Sequence, residues 1–119
     1  MRLKLAGINK FGAKRTTVDG IVFASALEAR VYQRLKLRQY AGQISGLRLQ
    51  VPFVLQEAFT DSDGKRQRNL RYVADFTFVD GGGQQIACDS KGKVTREFLI
   101  KAKLFRFRYP NIRLEVVTE

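Results

Sequence analysis

The strongest constraint on the fold is a strict alternation of apolar and polar residues in the segment LRLQVPFVL, residues 47–55. This period of two is that of a β-strand and places every second side chain on the same face. The apolar set consists of Leu47, Leu49, Val51, Phe53 and Leu55. Pro52 cannot donate a ladder hydrogen bond, which favours a sheet edge or a bulge. The chain is therefore expected to build a sheet that starts from a strand with one buried face.

The other periodic segments alternate between helix-like and strand-like patterns. Apolar residues at helical spacing predict helices from about Ala26 to Tyr40 and from about Thr95 to Arg108. Strands are predicted over 69–79, 84–91 and 112–117, with turns at 61–65 and 80–83. Residues 21–24 are either a short strand or the entry to the first helix. This order predicts an α/β (α+β) fold, in which helices flank a mixed central β-sheet.

The chain of 119 residues is expected to form one domain preceded by an arm. Residues 1–20 are basic and contain glycine, which predicts an extended or flexible arm, and residues 21–119 form the predicted domain. Two interpretations of the arm stay open. It is either a disordered basic tail or a segment whose apolar residues dock onto a second subunit. Those apolar residues are Leu3, Leu5, Ile8 and Phe11.

Charge narrows the class of partner. The chain has 22 Lys and Arg against 11 Asp and Glu, a formal net charge of +11 and a pI near 10.3. This balance favours nucleic acid or an anionic membrane surface as a partner over a merely soluble basic protein. No apolar run approaches the ~18 residues of a membrane span. Cys88, the single cysteine, fits a reducing compartment, so a cytoplasmic protein is expected.

The absence of histidine excludes whole classes of chemistry. Catalytic triads that use histidine, histidine general bases and histidine-ligated zinc are not available to this chain. Any catalysis must therefore use carboxylates, lysine and hard metal ions such as Mg²⁺.

A candidate catalytic cluster lies on the second and third predicted strands of the sheet. Asp75 interrupts the apolar run YVADFTF, and a buried acid must be paired, hydrogen-bonded or bound to a metal. Asp89 and Lys91 are two residues apart, so they point to the same face at about 6–7 Å. Because a short glycine-rich turn joins the strands, these three side chains converge in a way that suits metal-dependent phosphodiester hydrolysis. The alternative is a structural acid beside a surface ion pair.

Glu28 has two competing interpretations. It lies three residues after Ser25, which is the spacing of a capping box, and an acid in the first turn also stabilises the helix dipole. An acid at this position would instead complete a metal site if the helix packs on the sheet there. Gln50, on the polar side of its strand beside Arg48, is a further candidate polar contributor.

Basic residues around these acids are candidate phosphate contacts. The second predicted helix is rich in cations and directly follows the strand with Asp89 and Lys91. A DNA-binding track along this helix therefore competes evenly with a solvated helix face. The candidate DNA-binding residues are Lys14, Arg15, Arg48, Gln50, Lys93, Arg96, Lys101, Lys103, Arg106 and Arg108.

The ordered set of motifs resembles the PD-(D/E)XK nuclease superfamily, and within it the phage endonuclease-I-like Holliday-junction resolvases and small phage nucleases. The resemblance runs through KFGAKRTTVDGIVFASALEARVY, GQISGLRLQVPFVLQ, YVADFTF and ACDSKG to the following basic helix. It implies a restriction-endonuclease-like core in which Glu28, Asp75 and Asp89 are catalytic metal ligands. Lys91 is then the fourth catalytic residue, which orients water and stabilises charge. Ala74 replaces the proline of the motif, and Asp89 stands where many relatives carry glutamate.

The same resemblance implies dependence on Mg²⁺ or Mn²⁺, with one or two ions per site, and products with 5′-phosphate and 3′-hydroxyl ends. It also implies a homodimer, which suits a four-way DNA junction because resolution needs two nicks related by a two-fold axis. A phage- or prophage-encoded enzyme of this kind would act in the cytoplasm of the bacterial host. Two alternatives stay open: a general or nicking nuclease, and a non-catalytic DNA-binding protein on a nuclease-like fold.

Overall fold

A computed structural model of the chain describes residues 14–118. In chain order its elements are β1 (Thr16–Val18), β2 (Ile21–Phe23), α1 (Ala26–Tyr40), β3 (Ser45–Gln56), β4 (Phe59–Thr60), β5 (Arg66–Gln67), β6 (Leu70–Val79), β7 (Gln85–Lys91), α2 (Arg96–Arg108) and β8 (Ile112–Thr118). The predicted helices and main strands are confirmed, with bounds that differ by at most about two residues. The short strands β4 and β5 were not predicted; they pair on either side of the turn at 61–65.

Four strands form the central sheet, in the order β3-β6-β7-β8. β6 pairs antiparallel with both β3 and β7, whereas β8 runs parallel to β7. A parallel pair needs a long crossover connection, which α2 supplies. The position of β3 at the edge confirms the expectation drawn from Pro52. The molecule is therefore a mixed α+β fold with a mixed central sheet and two helices.

The two helices cover opposite faces of the sheet. Ile86 and Cys88 of β7 pack in a core with α1, while Ala87 between them packs in a second core with α2. Alternate residues of a strand point to opposite faces, so α1 and α2 must lie on opposite sides. The α1 core contains Leu27, Val31, Tyr32 and Leu35, and the α2 core contains Phe98, Ala102 and Phe105.

The inward side chains of β3 and β6 change face halfway along the strands. On β3, Leu47 and Leu49 pack with the α1 core, whereas Phe53 and Leu55 pack with the α2 core. On β6 the α2 core takes Tyr72 and Ala74, and the α1 core takes Phe76 and Phe78. The prediction of a single buried face on β3 is therefore wrong. The cause is Gln50, whose left-handed backbone (φ 52°) breaks the alternation while the pairing register with β6 continues on either side.

The end of the predicted arm is part of a hairpin. β1 pairs with β2 across the tight turn Asp19-Gly20, where both residues have positive φ, as a two-residue hairpin turn requires. Val18 and Ile21 pack against the α1 core of their own chain. The predicted boundary between residues 20 and 21 therefore divides one structural unit. Leu3, Leu5, Ile8 and Phe11, which carry the docking prediction, lie outside the described residues.

Candidate functional site

Three acidic side chains meet where β3 and β6 change face. Glu28 lies in the first turn of α1, Asp75 in the middle of β6 and Asp89 near the end of β7. We call these three residues the acid cluster. The cluster borders an open cleft of about 350 Å³ on the α1 side of the sheet. The cleft is lined by Glu28, Gln50, Asp75 and Arg15 together with Leu49 and residues 21–24.

Glu28 is held in the cleft as a nearly buried carboxyl, with 7% of its surface exposed. Its backbone N–H donates to Ser25 Oγ at 3.1 Å, which confirms Ser25 as the helix cap. Its carboxylate accepts a hydrogen bond from Gln50 Nε2 at 3.1 Å. Burial, and then the nearby negative charges of Asp75 and Asp89, raise the pKa of Glu28 from 4.5 to about 7. Glu28 is thus both the first-turn acid of α1 and a member of the site.

Asp75 ties β6 to the end of β7. Its Oδ2 accepts hydrogen bonds from the Ser90 backbone N–H at 2.9 Å and from Ser90 Oγ at 2.8 Å. The Asp75 backbone N–H in turn donates to Asp89 Oδ1 at 3.3 Å. These contacts lie just beyond Phe76 and Cys88, where the regular pairing of the two strands stops. The ladder is therefore replaced at this point by side-chain contacts between two acids and a serine.

Asp89 is the most deeply buried charged residue of the cluster, with 2% of its surface exposed. Lys91 Nζ lies 3.0 Å from Asp89 Oδ2 and 4.7 Å from the centre of the Phe98 ring, so the ammonium sits between a carboxylate and an aromatic face. Asp89 Oδ2 is thus held by the Lys91 ammonium, and within the described chain the buried Tyr72 hydroxyl has no hydrogen-bond partner. Burial and the charge of Asp75 raise the pKa of Asp89, although Lys91 opposes the shift.

The predicted catalytic residues thus lie near one another but on two faces of the sheet. Glu28 and Asp75 line the cleft on the α1 side, whereas Lys91, paired with Asp89, packs over Phe98 of the α2 core. Within residues 14–118, no three Asp, Glu or Cys side chains stand together as a ready group of metal ligands. In this arrangement the carboxylates are turned toward Gln50, Ser90 and Lys91. The donor chemistry nevertheless fits a hard cation, because all three acids offer carboxylate oxygens and two of them, Glu28 and Asp89, are buried.

The candidate DNA-binding residues are divided between the two faces. Arg15 and Gln50 line the cleft, whereas Arg48 does not. The cations of α2 lie on the opposite side of the sheet from the cleft, and two of them have acidic partners. Lys101 pairs with Glu97 at 3.3 Å and Arg108 with Glu57. Lys14, Lys93, Arg96, Lys103 and Arg106 are exposed outside the cleft lining. The α2 track is therefore not continuous with the cleft.

Ser90, Tyr72 and Phe98 are site residues that sequence reasoning missed. Ser90 was detectable in principle, because it lies between Asp89 and Lys91 and alternation turns it toward the other face. Its contact with Asp75 depends on the register of β6 against β7, which the sequence alone does not give. Phe98 was recognised only as an apolar position of the second helix.

Fold and site together define a mixed α+β protein with a partly buried acid cluster at the middle of its sheet. Over residues 8–119 the sequence matches the family described as "Protein of unknown function (DUF1064)", and the chain belongs to that family. No curated protein and no solved structure matches the chain. Within residues 14–118 no helix is long and apolar enough to cross a membrane.

Proposed function

We propose that this protein is a metal-dependent DNA endonuclease of the PD-(D/E)XK type, with a restriction-endonuclease-like core, that cleaves branched DNA such as Holliday junctions. The observation that carries the proposal is the meeting of Glu28, Asp75 and Asp89 with Lys91 at one point of the sheet. Three separate elements supply these side chains, in a chain with a net charge of +11. An acid cluster in a basic protein suits a cation that bridges the protein and a phosphate.

The electrostatics of the acid cluster support a cation as its partner. Glu28 and Asp89 both have a raised pKa, and in both cases the charge of Asp75 contributes to the shift. Lys91 is the cation that opposes these shifts, and it does not cancel them. A divalent ion would stabilise the ionised carboxylates by direct coordination. Ionisation of these carboxylates is therefore unfavourable in the folded protein, and a bound cation would offset that free energy.

In the proposed mechanism Glu28, Asp75 and Asp89 would hold one or two Mg²⁺ or Mn²⁺ ions. Such ions supply Lewis-acid stabilisation of a phosphodiester and a water of lowered pKa. Lys91 is held between Asp89 and the Phe98 ring, and the proposal assigns to its ammonium the orientation of water and the neutralisation of charge on the phosphate. Arg15 on the cleft wall is placed to bind a flanking phosphate.

A second candidate function is favoured by one observation. The carboxylates are satisfied in part by protein groups, and no ready group of metal ligands exists within residues 14–118. A non-catalytic DNA-binding protein on a nuclease-like fold would show this feature and would keep the basic surface. A general or nicking nuclease with the same site is a third possibility, and it differs only in the DNA structure that it recognises.

We further propose a two-fold homodimer that acts in the cytoplasm of a bacterial host and is encoded by a phage or prophage. Resolution of a four-way junction needs two coordinated cuts, and one chain offers one acid cluster. Val18 and Ile21 pack against the core of their own chain. We therefore assign the proposed contacts with a partner subunit to the part of the arm that precedes the hairpin. Sedimentation equilibrium on the full chain should show a dimer, and a truncated chain that starts at Lys14 should be a monomer. A full-length monomer that still makes paired cuts would contradict this assembly.

The function is tested by cleavage of an end-labelled four-way junction and of a linear duplex of the same sequence in Mg²⁺. We expect paired cuts in the junction arms, slower cleavage of the duplex and no cleavage in EDTA. Equal cleavage of both substrates would support the general nuclease instead. Tight binding without cleavage in Mg²⁺ or Mn²⁺ would support the non-catalytic alternative.

A further inference from the structure

Beyond the acid cluster the sheet continues as a strip that is open to solvent. On β6, Val73 and Arg71 follow Asp75 at alternate positions, and on β3 their paired neighbours are Pro52 and Val54. Val73 is 41% exposed, and Arg71 and Pro52 are also exposed. We call the four residues 52, 54, 71 and 73 the β3–β6 floor. It begins at the cleft and leads away from it along both strands.

The floor lies on the same side of the sheet as the cleft. Tyr72 and Ala74 are buried in the α2 core, so alternation turns Arg71 and Val73 to the other side. Asp75 lines the cleft on that side. On β3 the left-handed backbone of Gln50 produces the matching change, which sends Gln50 into the cleft beside Glu28. The change of face therefore has a consequence for the surface. It places Glu28, Asp75 and an open strip of strand residues on the same side of the sheet.

We propose that the β3–β6 floor guides one nucleic-acid strand into the cleft and that Arg71 binds a backbone phosphate of that strand. This inference deepens the proposed function and rests on it for the position of the reacting bond. Arg71 is four residues from Asp75, about 13 Å along a strand. One strand of B-form DNA rises about 3.4 Å per phosphate, so this distance covers about four phosphates along the helix axis. Pro52, Val54 and Val73 supply an apolar surface between the two ends.

Arg71 is an exposed cation on this side that is available to a phosphate. Within residues 14–118 it forms no ion pair or hydrogen bond, whereas Lys101 and Arg108 of α2 are paired with Glu97 and Glu57. A planar guanidinium suits a phosphate because it donates two parallel hydrogen bonds. Lys103 of α2 is equally exposed but lies on the opposite side of the sheet, so it provides a matched control of the same charge.

The first test is DNA binding in EDTA, measured by fluorescence anisotropy with a labelled four-way junction. We expect Arg71→Ala to weaken binding by up to about tenfold and to reduce the slope of log affinity against log salt by about one. Arg71→Lys should keep the salt slope, and Lys103→Ala should leave affinity within about twofold of the wild type. If only Lys103→Ala weakened DNA binding, the proposal would be overturned and the nucleic-acid strand would be assigned to α2.

The second test locates the DNA on the protein. Cysteine replaces Arg71 in one variant and Lys103 in another, and each carries a tethered iron chelate that cuts nearby DNA by hydroxyl radicals. The natural Cys88 is buried, with 2% of its surface exposed, and burial raises its thiol pKa, so it does not compete for the label. We expect strong DNA scission from position 71 and little from position 103. Scission from 103 alone, or equal scission from both, would overturn the floor as the binding track.

These results separate the inference from the nuclease proposal, because neither test needs the protein's own activity. Scission from position 71 in a protein that never cleaves DNA in Mg²⁺ would support the floor and contradict the nuclease. Cleavage in Mg²⁺ with no scission from position 71 would support the nuclease and overturn the floor. Failure of the wild-type protein to bind the junction at all would contradict both.

Discussion

The acids of the turns and the acids of the sheet are held in opposite ways. In the turn at 61–65, Asp61 Oδ1 accepts hydrogen bonds from the backbone N–H groups of Asp63 and Lys65, and Oδ2 accepts one from Gln67. These hydrogen bonds lower the pKa of Asp61, and the one from Gln67 contributes most. In the acid cluster, by contrast, burial and neighbouring carboxylates raise the pKa of Glu28 and Asp89. The turn acid is stabilised as an anion, and the sheet acids are destabilised as anions.

This contrast distinguishes a structural acid from a candidate functional one. Asp80 in the turn at 80–83 repeats the pattern of Asp61, since its Oδ1 accepts from the backbone N–H groups of Gly82 and Gln84. Such local contacts follow from the Asp-Gly chemistry of the turns and need nothing from the rest of the fold. Asp89 instead takes its partners, Lys91 and the Asp75 backbone N–H, from contacts that only the folded sheet provides. Acids whose ionisation is disfavoured by their surroundings are most often found where proteins bind ligands or catalyse reactions.

The largest expected effect follows substitution of Asp75. Asp75→Asn should reduce cleavage in Mg²⁺ at least about a hundredfold, since even partners of metal ligands can matter that much, and DNA binding in EDTA should be retained. An asparagine oxygen can still accept from Ser90, so the fold should persist, as circular dichroism would show. Asp61→Asn in the turn is the matched control and should cleave at the wild-type rate. Equal activity of the two variants would place the active site elsewhere.

The next effect is on the free energy of unfolding. Removing an acid from the acid cluster should raise it, whereas removing Asp61 from the turn should lower it. Because the pKa of Glu28 is raised in the folded state, ionisation of this residue destabilises the fold as pH rises from about 4.5 to 7. In EDTA at pH 8, Glu28→Gln should therefore raise the free energy of unfolding by about 1–3 kcal/mol. At pH 4.5 the same substitution should change it little. Urea denaturation at the two pH values measures the difference, and a destabilised variant at pH 8 would contradict the sign given to the sheet acids.

The smallest effect is expected in the turn. Asp61→Ala removes the acceptor for three hydrogen bonds at a partly exposed turn position, so the Tm should fall by only about 2–5 °C. Because the pKa of Asp61 is lowered in the folded state, its contribution is present above the ordinary pKa near 3.8 and is lost as pH falls further. Thermal unfolding at pH 7 and pH 2.5 checks the sign. Asp61→Asn, which keeps one acceptor oxygen, should lose less than the alanine variant.

The sequence predicted the elements better than their arrangement. Helix α1 was located to the residue because apolar spacing, Ser25 and Gly42 are all local signals. The turns at 61–65 and 80–83 were predicted for the same reason. The change of face at Gln50 was missed, since a left-handed residue within a strand leaves no mark on the apolar pattern. The separation of the α2 cations from the cleft was missed too, because it depends on which face each helix covers.

The candidate site shows the same limit. The pattern of Asp75, Asp89 and Lys91 was visible in the sequence, since alternation and a short turn bring neighbouring strands together. The role of Glu28 beside them came from the resemblance, because its residue type and position equally suit a helix cap. The partners of these acids were not visible at all. Ser90 and Tyr72 reach the acids only through the register of β6 against β7 and the twist of the sheet.

The most direct test of a cation at the acid cluster is Mn²⁺ binding, followed by loss of the electron paramagnetic resonance signal of the free ion at pH 8. We expect the wild type and an Asp61→Asn, Asp80→Asn variant to bind Mn²⁺ equally, while Asp75→Asn binds at least about tenfold more weakly. That result would assign the cation to the acid cluster rather than to the carboxylates of the turns. Equal binding by all three proteins, or no binding by the folded wild type at millimolar Mn²⁺, would contradict a metal site at the acid cluster.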